Sequence, residues 1–366
     1  MHGMTVSTRK PRSSTSRRTG APTIANVAEL AGVSLMTVSR VINAETNVRD
    51  TTREAVHAAM EKLNYAPNRA ARRLAGGAQL RIGLLYSNPS EAYLSAFLLG
   101  SLEQASRADI QLVVQNADRD GDECDVTRQL LNSGVDGVIL PPPLCDSQPV
   151  LDLLIESGIP TVVVATGKRP DALAAVSIDD RSAAREMTEH LLTLGHVRIG
   201  FILGAPNLTA SEERRQGYGD ALAARGVAVD EALIAQGYFT YRSGLDAAEE
   251  LLDQAVPPTA IFASNDDMAA ASVAVAHRRG LDVPGDLTVV GFDDSALAKT
   301  IWPELTTIHQ PIADMSRAAV DLLTGMLRSK RDRADDPPQE IVLDYTLIRR
   351  QSDAAPRRRP ATRQRD

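Results

Sequence analysis

The sequence predicts a small all-α head followed by a large α/β body of two doubly wound parallel-sheet subdomains. Its 366 residues exceed the roughly 100 to 200 that one domain commonly takes. Apolar residues recur at helical spacing within 22–67, whereas short apolar runs alternate with longer amphipathic ones within 80–348. Alternation of strands with helices is typical of parallel sheets. We call residues 22–67 the head and residues 80–348 the body.

Charge is distributed unevenly along the chain. Residues 1–80 hold 12 Lys and Arg against 5 Asp and Glu, and residues 349–366 hold 7 against 2. Since the formal net charge is −7, the stretch 81–348 carries −19. A basic module on an acidic body is typical of a nucleic-acid-binding head, because phosphate neutralisation needs local positive charge. Solubilising tails would explain residues 1–20 and 349–366, but not residues 21–74.

Three short helices are predicted in the head. The first follows Thr23 as N-cap and ends at Gly32, and Ser34 is placed to cap the second. A third runs from about Thr51 to Leu63, with Asp50 as its cap and a buried stripe of Ala55, Val56, Ala59, Met60 and Leu63. A short helix, a turn of three to four residues that contains Gly, and a second helix form the helix-turn-helix layout.

The outward face of the second helix carries the chemistry of base recognition. Arg40 can pair with a guanine edge, whereas Leu35 and Met36 suit thymine methyl groups. Small hydroxyl side chains beside them suit phosphates. We therefore expect this face to enter a DNA major groove. The dipeptide Gly76-Gly77 then breaks the helical pattern and marks the domain boundary.

Seven strands and six helices are predicted in the body. The strands are Ile82–Tyr86, Ile110–Gln115, Gly137–Leu140, Thr161–Val164, Ile199–Leu203, Ala260–Ala263 and Leu287–Val290. The helices are Leu94–Ala105, Arg181–Leu194, Ser211–Ala224, Ser243–Leu252, Met268–His277 and Ile312–Leu327. Ligands of open parallel sheets bind beyond the carboxyl ends of the strands. This rule selects the loop residues 87–93, which include Tyr93, together with 141–144, 265–266 and 293–294.

The head resembles that of the lactose-repressor and galactose-repressor (LacI/GalR) family. The resemblance covers TIANVAELAGVSLMTVSRVIN and the following VRDTTREAVHAAMEKLNYAPNRAARRLAG without a gap, although Asn26 replaces an acidic residue common in the family. It implies that Leu35, Met36 and Arg40 face base edges. It also implies a set of DNA-backbone contacts, namely Ser34, Thr37, Ser39, Asn43, Thr52, Tyr65 and Asn68.

Residues 68–79 resemble the hinge helix and linker of the same family. The resemblance implies that Ala71 and Leu74 lie at the minor groove, where an apolar wedge can unstack and kink the duplex. Arg72 and Arg73 would supply phosphate contacts nearby, or would simply form a solvated face of the linker.

The body resembles the effector-binding part of the family and the periplasmic-binding-protein fold. The resemblance is carried by LLTLGHVRIGFILG, SEERRQGYGDAL, PTAIFASNDDMA and LTVVGFDD. It implies a sugar-like effector in a cleft between the subdomains, with Arg214, Asn265 and Asp293 bonding its polar groups and Phe239 stacking on it. Ala165 stands where some sugar-responsive members carry an acidic residue, which leaves the identity of the effector open.

Each of these cleft residues also has a structural interpretation. Asn265 and Asp293 are placed where helix N-caps are common, and Phe239 could belong to the core. Arg214 could pair on the surface with Glu212 or Glu213. We therefore expect a cleft but treat the individual contacts as alternatives to capping, core packing and surface pairing.

Several other function classes lack support in the sequence. There is no signal-peptide pattern, no bilayer-length apolar run and no metal-ligand spacing, and Cys124 and Cys145 are expected to be free thiols. A solute-binding protein would share the body but not the head. A nucleotide-dependent enzyme would need a phosphate-binding loop or a nucleophile motif, neither of which is found.

The resulting prediction is a cytoplasmic, homodimeric regulator without enzymatic activity, cofactor or membrane partner, most simply a repressor of carbohydrate-utilisation genes. Its partners would be a pseudo-palindromic double-stranded DNA operator and a small effector, such as a sugar or glycoside. Residues 1–21 and 349–366 are expected to be disordered basic tails, because they are rich in charge and Pro and poor in apolar residues.

Overall fold

The computed structural model describes residues 23–42, 48–63, 79–117, 122–168, 170–329 and 338–357. Two compact units make up the chain, Met1–Ala78 and Gln79–Asp366. In the described residues, no single helix has both the length and the apolar composition needed to cross a membrane. Two short helices, Ile24–Ala31 and Leu35–Val41, meet both criteria only when counted together across a bend of 100°.

The first unit contains three helices, α1 (Ile24–Ala31), α2 (Leu35–Ile42) and α3 (Asp50–Lys62). Thr23 is the N-cap of α1, and its N–H donates to the Asn26 side chain over 3.0 Å. Gly32 ends α1 in the left-handed conformation, with φ 66°, which glycine adopts without steric cost. The hydroxyl of Ser34 accepts from the Thr37 N–H and so caps α2.

A small core closes these three helices. It consists of Val27, Ala28, Val38, Val41, Val56 and Ala59. Two details differ from the sequence-based expectation for α3. Asp50 is the first helical residue rather than the cap before it, and Ala55 is exposed rather than part of the buried stripe. The core-facing stripe is therefore narrower than the apolar pattern predicts.

The second unit contains two parallel sheets, which confirms the predicted α/β architecture. The first sheet has six strands: β1 (Arg81–Tyr86), β2 (Gln111–Asn116), β3 (Gly137–Leu140), β4 (Thr161–Val164), β5 (Ala174–Ser177) and β11 (Glu340–Val342). The second has four: β6 (Ile199–Leu203), β7 (Ile234–Gln236), β8 (Ala260–Ala263) and β9 (Thr288–Val290). An antiparallel pair, β10 (Thr307–His309) and β12 (Thr346–Ile348), completes the described strands.

Both sheets have the strand order of doubly wound folds. The first runs β11-β5-β4-β3-β1-β2 and the second β7-β6-β8-β9, with parallel neighbours throughout. The central strands β3, β4 and β8 are buried along their whole length, as expected for sheets covered on both faces. The five strands that the sequence did not predict, β5, β7, β10, β11 and β12, have only three or four residues each.

Nine helices of the second unit are described. They are α4 (Glu91–Arg107), α5 (Glu123–Asn132), α6 (Gln148–Ser157), α7 (Asp180–Leu194), α8 (Thr209–Ala224), α9 (Tyr241–Leu252), α10 (Asp266–Arg278), α11 (Ala296–Thr300) and α12 (Ile312–Ser329). The chain passes between the sheets after β5, after β10 and after β11, so each subdomain is built from separate stretches of sequence. Helices α7 and α8 pack closely because Gly217 faces the Arg181 carbonyl without a side chain.

The C-terminal segment corrects one prediction. Disorder was expected from Arg349 onward, but Ser352 is buried and accepts from the Thr306 N–H through its hydroxyl. The Val289 N–H donates to the Ser352 carbonyl, and the His196 Nε2 lies 2.8 Å from the Ala354 carbonyl. Hydrogen bonds of side chains and main chain, rather than apolar burial, hold residues 349–357, which composition could not reveal. Residues 358–366 and 1–21 lie outside the described residues.

Candidate functional site

A cleft opens where the carboxyl ends of strands from both sheets face each other. The space between its walls, counted together with the solvent at its open mouth, is about 510 Å³. One wall, from the first subdomain, consists of Asn88, Pro89, Ser90, Tyr93, Pro142, Pro143, Asp146 and Ala165. The other consists of Leu208, Ala210, Arg214, Phe239, Asn265 and Asp293, with Gln310 from the crossover before α12. All five residues selected from the sequence, including Tyr93 and Arg214, therefore line one cleft.

Arg214 is fixed in place by buried partners. Its Nε donates to Asp180 Oδ1 over 2.7 Å, and its Nη1 donates to the Ser264 carbonyl. The guanidinium lies 3.6 Å from the centroid of the Phe292 ring. Burial raises the pKa of the Asp180 carboxyl, and the adjacent Arg214 offsets part of that effect. The surface pairing of Arg214 with Glu212 or Glu213 that the sequence left open is not what holds this side chain.

Asp293 follows β9 and presents a buried carboxyl to the cleft. Burial raises its pKa well above the ordinary value, Arg214 lowers it in part, and the neighbouring Asp266 raises it further. In the described part of the chain, the Asp293 side chain accepts no hydrogen bond from protein. It is therefore a carboxyl whose hydrogen-bonding capacity is available to a ligand.

Backbone strain is concentrated in the same place. Of the five described non-glycine residues with positive φ, three line the cleft: Ala165 (56°), Phe239 (60°) and Asp293 (110°). Asp294, with φ 57°, follows directly. Such conformations cost about 1 to 3 kcal/mol each and cluster at binding sites, where the surrounding structure holds them.

Asn265 combines the two interpretations that the sequence allowed. Its Oδ1 accepts from the Met268 N–H and so caps α10, while its Nδ2 donates to the Phe239 carbonyl over 3.0 Å. The bond to the Met268 N–H orients the Asn265 amide, and the oriented amide holds the loop that carries Phe239. Asn265 thus lines the cleft as part of the scaffold that positions the aromatic ring.

Tyr93 contributes the hydroxyl of the opposite wall. The residue is buried, its ring stacks on Phe97 at 6.2 Å between centroids, and its hydroxyl has no hydrogen-bond partner among the described residues. Burial raises the pKa of the Tyr93 phenol, so the group remains a hydroxyl that can donate. A buried polar atom without a partner is expected to meet one in a ligand.

Among the hydrogen bonds that join the two subdomains beside the cleft, the sequence revealed neither of the following two. Ser90 Oγ donates to Asp267 Oδ2 over 2.7 Å, and the Thr209 N–H donates to Asp146 Oδ2 over 2.9 Å. Asp146 lies two residues beyond the predicted loop 141–144, so a wider window after β3 would have included it. The relative position of the walls therefore depends on bonds made by two residues that line the cleft, Ser90 and Asp146.

The head presents the predicted exposed face. The side chains of Leu35 and Met36 are 52% and 65% exposed, and Arg40 is also exposed, while Val38 and Val41 are buried on the opposite side of α2. The other predicted contacts that the structure describes are at least partly exposed, namely Ser34, Thr37, Ser39 and Thr52. Asn43, Tyr65, Asn68, Ala71 and Leu74 lie outside the described residues, as does residue range 68–78 of the predicted hinge.

Comparisons with known proteins match both parts of the chain. Residues 23–68 match the family of bacterial regulatory proteins of the lacI type, and residues 188–352 match the periplasmic binding protein-like domain. The transcriptional regulator CelR of Thermobifida fusca is 37% identical over 90% of this chain and 98% of its own length. Catabolite control protein A of Priestia megaterium is 34% identical over 84% and 93%.

Solved structures give the same result. A complex of CelR with cellobiose has a TM-score of 0.69 at 36% identity and covers 90% of this chain and 99% of its own. A Lac repressor dimer bound to operator and the anti-inducer ONPF has a TM-score of 0.69 at 29% identity, covering 92% and 100%. Three of the relatives, CelR, DegA of Bacillus subtilis and GalR of Escherichia coli, are helix-turn-helix transcriptional regulators.

Proposed function

The chain belongs to the LacI family of bacterial regulatory proteins and is a DNA-binding transcriptional regulator, and from this premise we propose how its residues divide the work. The head reads the operator, and the cleft of the body binds a small effector that changes operator affinity. One observation carries the proposal: the head has an exposed α2 face, and the body has a cleft lined by residues of positive φ and by polar groups that can bond ligand hydroxyls.

For operator reading, we propose that α2 enters the major groove. Arg40 would bond a guanine, while Leu35 and Met36 contact bases through apolar surface. Ser34, Thr37, Ser39 and Thr52 would position the helix on phosphates, a task shared in the proposal with Asn43, Tyr65 and Asn68. One small head buries little DNA surface, so two heads of a homodimer would bind the halves of a pseudo-palindromic site, with the hinge residues Ala71 and Leu74 at the minor groove between them.

For effector binding, we propose a sugar-like ligand in the cleft. Asp293 and Arg214 offer an acceptor and donors to ring hydroxyls, Tyr93 offers a further hydroxyl, and Phe239 offers a face for the apolar side of a sugar ring. The relative CelR has been solved with cellobiose, which makes cellobiose the first ligand to try. The regulated genes would then be those of carbohydrate utilisation.

The proposal places the protein in the cytoplasm, where the DNA is, and assigns it no catalytic step or cofactor. We further propose that the ligand acts through the two cross-cleft pairs, Ser90 with Asp267 and Thr209 with Asp146. A ligand that bonds both walls would change the relative position of the walls that these pairs set. A ligand shifts the equilibrium between two conformations only as far as its affinities for them differ.

The experiment is a titration of fluorescent operator duplex with full-length protein, with and without cellobiose. Asp293→Ala should bind DNA as the wild type does and lose the ligand response. Asp152→Ala removes an exposed carboxylate on α6 and should keep both properties. A normal ligand response in Asp293→Ala would remove Asp293 from the site, and equal loss of DNA binding would show that it serves the fold instead.

A further inference from the structure

We infer, on the premise of the proposed operator reading, that residues 1–21 bind the phosphate backbone of DNA through their five cationic side chains. We call these residues the N-terminal segment. They lie outside the described residues, and their charge and their place before α1 come from the sequence. The sequence-independent part of the affinity for DNA then comes largely from a segment outside the three helices of the head.

The three helices of the head carry almost no net charge. Residues 22–63 hold four Lys and Arg against five Asp and Glu, so their formal charge is −1. The α1 helix contains Glu29 and no cationic residue, and the only cation of α2 is Arg40, the residue proposed to bond a guanine. A protein gains much of its affinity for DNA by neutralising phosphates and releasing their counterions. The helices by themselves offer little charge for that purpose.

The positive charge of this part of the chain flanks the helices. The stretch 64–80 has three arginines and no acidic residue, and the stretch 81–348 carries −19 and cannot supply cations. The N-terminal segment has five cationic residues and no acidic one, namely Arg9, Lys10, Arg12, Arg17 and Arg18. Most of the positive charge available to neutralise phosphates therefore lies before α1.

The start of α1 keeps part of the N-terminal segment close to the duplex. In a helix-turn-helix complex the first helix crosses the phosphate backbone while the second lies in the major groove. The N-cap of α1 is Thr23, and the first turn of α1 has no acidic side chain that would repel a phosphate. Since a residue spans at most about 3.6 Å of extended chain, Arg18 lies within about 18 Å of Thr23. Arg17 and Arg18 therefore stay near the backbone that α1 crosses.

Contacts of this kind add affinity without reading sequence. Lys and Arg bond phosphate oxygens, which carry no sequence information. The N-terminal segment should therefore strengthen binding to the operator and to unrelated DNA by the same factor, and it should leave the choice of operator to α2. It should also make binding depend steeply on salt, because each neutralised phosphate contributes about 0.9 to the slope of log affinity against log salt concentration. Cations that served only solubility would change none of these quantities.

The test measures how the binding of a mixed-sequence DNA duplex depends on salt, by fluorescence anisotropy between about 50 and about 200 mM salt. Full-length wild type is compared with a full-length variant that carries Arg9→Gln, Lys10→Gln, Arg12→Gln, Arg17→Gln and Arg18→Gln. We expect the slope to be smaller in the variant by at least about 2, the share of two phosphate contacts. A smaller reduction would overturn the inference and leave these cations a solubilising role. A wild type that binds no duplex at any salt concentration would instead overturn the DNA-binding function itself.

A matched control separates local contact from net charge. It removes the same five charges after the body, through Arg357→Gln, Arg358→Gln, Arg359→Gln, Arg363→Gln and Arg365→Gln. Arg357, the described member of this set, is 62% exposed, so its loss should cost little stability. The control should keep the wild-type slope, and an equal reduction in both variants would show that net charge governs the salt dependence and would overturn the inference.

Sequence discrimination supplies a second readout. The variant of the N-terminal segment should keep the wild-type ratio between the affinity for a duplex selected from a random pool and the affinity for the mixed-sequence duplex. Both affinities should fall by the same factor, because phosphates are the same in the two duplexes. A changed ratio would assign the segment to sequence reading and would overturn the inference.

Discussion

Arg214 Nε lies 2.7 Å from Asp180 Oδ1, and both side chains are almost fully removed from solvent. Asp180 is the first residue of α7, and Arg214 is on α8, so the pair fixes these two helices at the cleft. Only 2.6 Å separates Arg181 and Asp220 on the same two helices, but these side chains are 49% and 40% exposed. The two pairs join the same helices through the same kinds of side chain and differ in burial. Comparing them therefore tests how burial affects the strength of an ion pair.

Asp180→Ala should destabilise the protein by about 3 to 5 kcal/mol, because it leaves the buried Arg214 charge without its partner. Asp220→Ala should cost about 0 to 1 kcal/mol, since solvent screens the exposed pair. Urea unfolding followed by circular dichroism measures both. Similar losses in the two variants would mean that burial does not govern the strength of the Arg214 pair.

The affinity for a neutral sugar should rise as pH rises. Burial raises the pKa of Asp293 in the folded protein, so at a given acidic pH more of this carboxyl is protonated than of an exposed aspartate. The ionised carboxylate accepts a hydrogen bond from a ligand hydroxyl more strongly than the protonated carboxyl does, and binding therefore strengthens as the pH rises through the raised pKa. Calorimetry across the acidic to neutral range measures this dependence.

Asp293→Asn should flatten that pH dependence, because the amide does not titrate. Asp180, Asp266 and Asp267 also face this region, and burial raises the pKa of each, so the comparison with the variant isolates the contribution of Asp293. A wild-type affinity that stays constant or falls with rising pH would contradict the assignment of Asp293 as a carboxylate acceptor.

How far the sequence predicts this site depends on the distance over which its parts are joined. Arg214, Asn265 and Asp293 could be predicted from the sequence, because they follow strands of parallel sheets or belong to a recognisable family pattern. The pairs Ser90 with Asp267 and Asp146 with Thr209 were not, since their members are 177 and 63 residues apart and no local pattern links them. Nor could the sequence say whether Asp179 or Asp180 would be buried against Arg214.

The fold shows the same division. Strands buried on both faces, such as β3 and β8, appear as uninterrupted apolar runs and were predicted at their observed bounds. The strand β11 has only three residues and no buried one, so no apolar alternation distinguishes it from a loop. The segment after Arg349 is held largely by hydrogen bonds to β9 and Thr306, which leave no apolar signature.

Ser352→Ala should therefore destabilise the body by about 1 to 3 kcal/mol. The Ser352 hydroxyl donates to the Val289 carbonyl and accepts from the Thr306 N–H, and its removal leaves both buried groups unsatisfied. Gln351→Ala changes an exposed neighbour and should stay within about 0.5 kcal/mol of the wild type. Thermal unfolding of the two variants checks this, and an unchanged Ser352→Ala would mean that the segment adds nothing to stability.

Arg40→Ala should reduce the discrimination between operator and point-substituted operator at one base pair by about 1 to 3 kcal/mol. Arg128→Ala removes the same charge from the surface of the body and should leave discrimination unchanged. Competition binding against a set of single-base variants gives the profile. A uniform loss over all duplexes would assign Arg40 to phosphate rather than base contact.

The central claim is that the head reads DNA sequence and the cleft controls that reading. It is tested most directly by selecting duplexes from a random pool with full-length protein, then measuring the selected duplex with and without the neutral sugar that binds. The account predicts a pseudo-palindromic sequence. Adding the sugar should change the affinity of the wild type for this sequence and should leave the affinity of Asp293→Ala unchanged. Recovery of no preferred sequence, or an affinity indifferent to a sugar that demonstrably occupies the cleft, would contradict it.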